Sequence, residues 1–113
     1  MAIRQFNAAH LEIKKTFTED FATHPYEAGW ASEAIFFVMI EDVSGENSLF
    51  QASVQISLDG IHWVDEGSTL QPVDAKGLYF IRVSHFGNWL RLDCRITGTN
   101  PAFRLNLQIA LKE

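Results

Sequence analysis

The sequence predicts an all-β protein, an antiparallel β-sandwich of the jelly-roll kind with about seven or eight strands. Apolar and polar residues alternate over most of the second half of the chain, which indicates strands with one buried face. No segment repeats apolar residues at helical spacing over three turns. The strand segments are short and separated by turn residues, and this pattern favours two facing antiparallel sheets.

Length and composition indicate one domain with a hydrophobic core. The chain has 113 residues, of which 47% are hydrophobic and 12% aromatic. Chains of this size bury roughly two-thirds of their unfolded surface and fold without disulfides or metal ions. We expect residues 11–113 to form a single sandwich domain. Residues 1–10 are expected to be either a disordered leader or an N-terminal arm that orders on a neighbouring subunit.

The first half of the chain predicts two strands separated by a long loop. Residues 11–17 predict a strand, and residues 18–32 predict a loop that is rich in groups able to contact a partner. Residues 34–41 are apolar on both faces, which predicts a central strand that is covered on both sides.

The clearest alternation covers residues 50–58. One predicted core face holds Phe50, Ala52, Val54, Ile56 and Leu58. Asp59-Gly60 then predicts a two-residue hairpin, because such a turn requires positive φ. The return strand covers residues 61–65 and places Ile61 and Trp63 on one face.

The remaining strands follow the same rule. Residues 68–73 predict an edge strand because of Pro72, and residues 78–85 predict a strand that ends in a turn. Residues 89–96 and 102–111 predict two strands that are separated by a loop over residues 97–101. The predicted inward side chains of these last two strands are Leu90, Leu92, Cys94, Ile96, Phe103, Leu105, Leu107, Ile109 and Leu111.

Polar rows on the outward faces are the main candidates for binding. They comprise Gln51 and Gln55; Arg91 and Arg95, with Trp89 at the end of their row; and Arg104, Asn106 and Gln108. The 18–32 loop adds the aromatic residues Tyr26 and Trp30. Amides, guanidinium groups and aromatic rings suit a hydrated subunit interface or a sugar, and a solvated sheet face is the simpler alternative.

No pattern in the sequence indicates catalysis. Cys94 occupies an inward strand position typical of a small buried side chain, and the glycines are isolated turn residues. The acidic and histidine residues lack the spacing of a metal-ligand motif. We therefore expect no enzymatic activity, no metal site and no cofactor.

Charge and hydropathy restrict the partners. The net charge of −5 disfavours binding to nucleic acid and to anionic membrane surfaces. The longest apolar run, residues 34–40, is too short for insertion into a membrane. The first residues do not resemble a signal peptide, so we expect cytoplasmic synthesis without export.

One hairpin carries a family resemblance. Ser57, Asp59, Gly60 and Trp63 match the pattern S-x-D-G-x-x-W, and residues 83–91 resemble a later strand pair of the same modules. The hairpin resembles those of β-sandwich modules in phage and prophage virion proteins and in extracellular adhesion or sugar-binding proteins. The resemblance covers roughly residues 50–111 and implies a fold, without catalytic residues.

Two functions from different classes remain. The first is a structural or assembly protein that binds copies of itself or decorates a larger particle such as a phage-like virion. The second is a carbohydrate-binding module in which Tyr26, Trp30 and Trp89 stack on sugar rings. The burial of the tryptophans distinguishes the two, because a stacking platform must be exposed.

Overall fold

The computed structural model describes residues 6–84, 86 and 88–113 and is all-β, as predicted. Within the described residues, seven antiparallel strands form one hydrogen-bonded sheet. The strands are β1 (Phe6–Phe17), β2 (Phe21–Ala22), β3 (Tyr26–Glu27), β4 (Glu33–Ser57), β5 (Val64–Val73), β6 (Gly77–Ser84) and β7 (Trp89–Lys112). The part of the chain described here contains no helix that is long and apolar enough to cross a membrane.

Two long strands form the spine of the sheet. β4 has 25 residues and β7 has 24, and they pair from Glu33 opposite Lys112 to Ser57 opposite Trp89. In the first half of this ribbon, which we define as residues 33–44 with 102–112, β1 pairs with β7 and β6 pairs with β4. In the second half, residues 48–57 with 89–97, β2 and β3 pair with β7 and β5 pairs with β4.

Separate strands were predicted for the two halves of β4 and for the two halves of β7, and this prediction was wrong. Segments 34–41 and 50–58 both lie in β4, and segments 89–96 and 102–111 both lie in β7. The intervening residues are not loops, because pairing continues through them with shifts of register. Positive φ angles at Gly45 (95°), Asn47 (54°), Gly98 (129°) and Asn100 (50°) bend the ribbon here, as β-bulges do.

Glycine is required at this bend because the two backbones pass in contact. A Cβ atom on Gly98 would lie 2.8 Å from the carbonyl oxygen of Asn47 and 2.9 Å from that of Glu46. A Cβ atom on Gly45 would collide with the carbonyl oxygen of Asn100. The close approach of the β4 and β7 backbones at the bend therefore depends on Gly45 and Gly98, which lack side chains.

The bend turns the same face of both halves inward. Phe103 pairs with Val43, which is seven residues from Phe50 along β4, so a straight ribbon would separate Phe50 and Phe103 by more than about 20 Å. Their ring centroids are 5.8 Å apart. The two halves thus face each other across the core as parts of one bent sheet, where the sequence predicted two separate sheets.

The predicted inward faces are confirmed along most of both spine strands. The buried apolar residues of β4 and β7 are Ala34, Phe36, Val38, Ile40, Phe50, Ala52, Val54, Leu90, Leu92, Cys94, Ile96, Phe103, Leu105, Leu107, Ile109 and Leu111. Leu58 is the main error, since β4 ends at Ser57 and Leu58 is exposed. The predicted strand 34–41 is central, between β6 and β7, but no strand layer covers its outward side chains in the described chain.

The flanking strands also differ from the prediction at their ends. β1 begins at Phe6, five residues before the predicted start, so residues 6–10 of the predicted leader or arm (residues 1–10) belong to β1, and residues 1–5 lie outside the described residues. Residues 64–73 form a single edge strand that contains Pro72, as expected of an edge. Residue 85, the predicted end of the sixth strand, also lies outside the described residues.

The predicted loop over residues 18–32 runs along the edge of β7 and includes the short strands β2 and β3. The Asp20 carboxylate accepts a hydrogen bond from the Ile96 N–H at 2.8 Å. The Thr23 N–H donates to the Leu92 carbonyl, and the Leu92 N–H donates to Thr23 Oγ1, both at 2.9 Å. These bonds extend the sheet edge where the chain is too irregular for a long strand.

Candidate functional site

A six-residue loop, residues 58–63, joins β4 to β5 and replaces the predicted two-residue turn; we call it the tip loop. Ser57 is buried at its base, and its Oγ accepts a hydrogen bond from the Gly60 N–H at 2.8 Å. Asp59 Oδ1 accepts from the N–H groups of Ile61 and His62, each at 2.9 Å. These side-chain acceptors stabilise a wider turn than the Asp-Gly dipeptide alone predicts.

Asp59 is held in its charged form by the tip loop. The His62 N–H, the His62 side chain at 2.7 Å and the Ile61 N–H together hold the pKa of Asp59 well below its usual range. Each of these donors binds the carboxylate more strongly than the neutral acid. The ionised carboxylate therefore contributes to the conformation of the loop.

The tip loop presents apolar side chains to solvent. Leu58 is 81% exposed and Ile61 is 75% exposed. Beneath them Gly60, with φ of 80°, lies against Trp89, whose ring would be 3.3 Å from an added Cβ. The alternation in the sequence predicts strand faces for Leu58 and Ile61, so their exposure was not predicted.

A polar network lies beside the tip loop on the outer face of the second half. Arg91 Nε donates to Gln55 Oε1 at 2.8 Å, and Gln55 Nε2 donates to Asp65 Oδ1 at 3.0 Å. The Arg91 guanidinium lies 4.2 Å from the centroid of the Trp63 ring, in cation–π geometry. Side chains of β4, β5 and β7 thus form one hydrogen-bonded group, which we call the polar strip.

Two of the predicted polar rows are neighbours within this strip. Gln51 lies opposite Arg95, as Gln55 lies opposite Arg91. Arg95 contacts Asp93 at 3.4 Å on its own strand. The structure therefore brings together four of the predicted binding residues, and three of them hydrogen-bond within the chain: Gln55 and Arg91 to each other, Gln55 also to Asp65, and Arg95 to Asp93.

The third predicted row lies on the outer face of the first half, away from the other two. Arg104, Asn106 and Gln108 lie opposite Asp42, Met39 and Phe37, respectively. Arg104 Nε is 4.0 Å from Glu41 Oε1. Two acceptor oxygens in this row, Glu41 Oε1 and Asn106 Oδ1, are buried and lack a hydrogen-bond donor.

An apolar patch adjoins this third row, and we define it by Ile35, Phe37, Met39, Leu78 and Phe80. Leu78 is 60% exposed and Phe80 is 53% exposed, opposite Met39 and Phe37 on β4. The Arg82 guanidinium lies 5.2 Å from the Phe80 ring centroid. The two-sided apolar character of residues 34–41 was the signal of this patch, although it predicts a strand that is covered on both sides.

The three predicted sugar-stacking residues are half-buried. Tyr26 and Trp30 pack against the hydrophobic core. Trp89 lies in register with Ser57 and Glu27 and packs against Gly60. Their role in binding sugar remains a prediction, and the structure does not place them on an open aromatic shelf.

Two grooves flank the start of β4, and the described residues contain no cluster of three metal-ligating side chains. A groove of about 370 Å³ lies between Glu66 and Ser68 of β5 and Arg82 and Ser84 of β6. A second, of about 210 Å³, is lined by residues that include Ile35, Phe37 and Ala110 of the outer face.

No protein-family model matches the chain, and no curated protein sequence is significantly similar to it. Solved structures do share its fold. SPBc2 prophage-derived protein YomS superposes with a TM-score of 0.61 at 7% identity, over 100% of this chain and 97% of YomS. PBSX exported protein XepA superposes with a TM-score of 0.58 at 11% identity, over 96% of this chain and 36% of XepA. The first of these neighbours is described as prophage-derived and the second as an exported protein, and identities this low show the fold alone.

Proposed function

We propose that this chain is a non-enzymatic structural protein that assembles with copies of itself, as a component of a phage-like particle or a comparable assembly. The observation that carries the proposal is the apolar patch on the outer face of the first half. Monomeric proteins rarely leave such a group of large apolar side chains uncovered on a regular sheet face, and these patches mark interaction sites. The prophage origin of the structural neighbour YomS supports the particle context.

Two further features support assembly over catalysis. The polar strip formed by Gln55, Arg91 and Asp65 is hydrogen-bonded within the chain and leaves few groups poised to act on a substrate. Of the grooves at the start of β4, one is lined in part by the outer strands β5 and β6 and the other by the spine strands β4 and β7. Surfaces of this kind suit contact with another protein.

Size-exclusion chromatography with light scattering tests the proposal. The wild-type chain is expected to form a defined oligomer whose dissociation follows mass action on dilution. Phe80→Ser removes apolar area from the patch and should weaken assembly, whereas Leu58→Ser, which removes a still more exposed apolar side chain at the tip loop, serves as the control. A wild-type chain that remains monomeric at high concentration would contradict the proposal.

Carbohydrate binding has less support than assembly. Sugar rings stack on exposed aromatic faces, and Tyr26, Trp30 and Trp89 are all half-buried. A glycan array distinguishes the two functions directly. Reproducible binding that Trp89→Ala abolishes, with an unchanged oligomeric state, would favour the sugar-binding function.

A further inference from the structure

β6 is an edge strand that lacks the usual protection against pairing. Its eight residues pair with β4 from Glu33 opposite Ser84 to Ile40 opposite Gly77 without any shift of register. It contains no proline, and Arg82 is its one charged residue. Natural edge strands are normally interrupted by bulges, prolines or several charges, because a regular edge is a template for another strand.

The other edges of the described sheet carry such protection. β5 contains Pro72 and a glycine at residue 67, and its pairing with β4 shifts register twice. β1 also shifts register twice along β7. The contrast singles out β6 as the edge with the regularity needed to accept a partner strand.

The second edge of β6 has no paired strand in the described part of the chain. Within the described residues no strand other than β4 pairs with β6. A groove of about 370 Å³ lies between Arg82 and Ser84 of β6 and Glu66 and Ser68 of β5, and no strand pairing joins these two strands as described. A strand that approaches this edge would extend the sheet beside the apolar patch.

We propose that β6 pairs antiparallel with β6 of a second copy of this chain, with Ile81 on the two-fold axis. The inference rests on the proposed self-assembly and names its interface. Residues directly opposite in such a pair face the same side of the sheet, so only registers that match outward with outward residues keep both cores inside. With Ile81 on the axis, Phe80 lies opposite Arg82 of the second copy, and Tyr79 lies opposite Val83 of the second copy.

The strand is self-complementary in this register. The Arg82 guanidinium lies 5.2 Å from the Phe80 ring centroid of its own strand, and Phe80 is still 53% exposed. The exposed part of the ring can therefore be covered by the Arg82 guanidinium of the second copy. The two-fold axis makes this contact twice in each interface. Tyr79 and Val83 extend the inward row of Ile81 across the junction, which makes a second copy a better occupant than an unrelated strand.

A charge-swap experiment tests the register. One chain carries Arg82→Glu and another carries Phe80→Lys, and both changed side chains are exposed, so each variant should keep the circular dichroism spectrum of the wild type. Alone, each variant should self-associate at least about tenfold more weakly than the wild type. Arg82→Glu loses both aromatic–arginine pairs of the interface, and Phe80→Lys places two pairs of like charges opposite each other. Mixed together, they form one lysine–glutamate pair and one native pair, so hetero-oligomers should return toward wild-type affinity in light scattering.

The outcomes separate the interface from the proposed function. Wild-type assembly by both variants alone would overturn the β6 interface and leave self-assembly standing. Weak association of Phe80→Lys with normal association of Arg82→Glu would overturn this register, and so would a mixture that fails to recover. A monomeric wild-type chain would overturn the interface and the proposed function together.

Discussion

The bend between the two halves of the spine depends on Gly98 as well as on Gly45, and Gly98 makes a sharp prediction. Gly98→Ala forces a side chain into positive φ (129°) and places its Cβ 2.8–2.9 Å from three backbone atoms of β4. The conformational part of the cost is about 1–3 kcal/mol. The contact adds a similar amount, because backbone atoms cannot rotate away, so we expect a total loss of roughly 3–5 kcal/mol in the free energy of unfolding.

Gly67→Ala is the matched control. Gly67 has a comparable φ of 116°, and nothing lies within 4 Å of its Cβ position. It should therefore show the conformational part alone, about 1–3 kcal/mol. Urea unfolding of both variants at one protein concentration measures the difference, since oligomers unfold with a concentration dependence. Equal losses in the free energy of unfolding for Gly98→Ala and Gly67→Ala would refute the close approach of the β4 and β7 backbones at the bend.

Three further predictions concern single side chains. Arg91→Ala should lower the free energy of unfolding by about 1–2 kcal/mol, because it removes a hydrogen bond and the contact with Trp63. The control Arg95→Ala loses one long and exposed ion pair and should lower it by under about 0.5 kcal/mol. Equal losses for the two variants in urea unfolding would contradict the polar strip. Asp59→Asn should flatten the pH dependence of stability in acid. The lowered pKa of Asp59 gives the wild type a contribution that is present above about pH 4 and is lost as the pH falls below it, so parallel wild-type and variant curves between pH 2 and 5 would count against this role. Cys94 is fully buried on β7 and should react with a thiol reagent only in denaturant, and rapid labelling in native buffer would show that the core opens locally.

The local pattern of the sequence was sufficient to predict the strands and the core. Period-two alternation identifies which side chains turn inward, because strand geometry alone sets that period. It correctly placed Leu92, Cys94, Leu105 and Leu107 in the interior. The same pattern holds whether two segments are separate strands or halves of one, so it could not decide how the segments connect.

The bend illustrates this limit. Gly98 and Asn100 suggest a loop by composition, because glycine and asparagine tolerate positive φ in both loops and bulges. The structure uses them as bulges, since the facing residues of β4 also adopt positive φ at Gly45 and Asn47. That coincidence depends on which residues pair across 50 or more positions of sequence, and no local window contains it.

The candidate sites divided in the same way. The polar rows on the outer faces were predictable, because Gln55 and Arg91 alternate with buried residues on their own strands. The tip loop was not, because Ser57 and Asp59 set its width through side-chain hydrogen bonds. The two-sided apolar run at residues 34–41 was recognised, but the second layer that would cover it is absent from the described chain.

The distribution of hydrogen bonds explains why the apolar patch, more than the polar rows, supports an interface. Burying Gln55 and Arg91 under a partner would remove water from groups that already bond to each other and to Asp65, with little new bonding in return. Covering Leu78 and Phe80 has no such cost, since each square ångström of apolar surface removed from water is worth about 25 cal/mol. Both residues lie on the regular edge strand, so one partner strand could gain backbone hydrogen bonds and apolar burial together. A surface that offers both gains at one place is the better site for assembly.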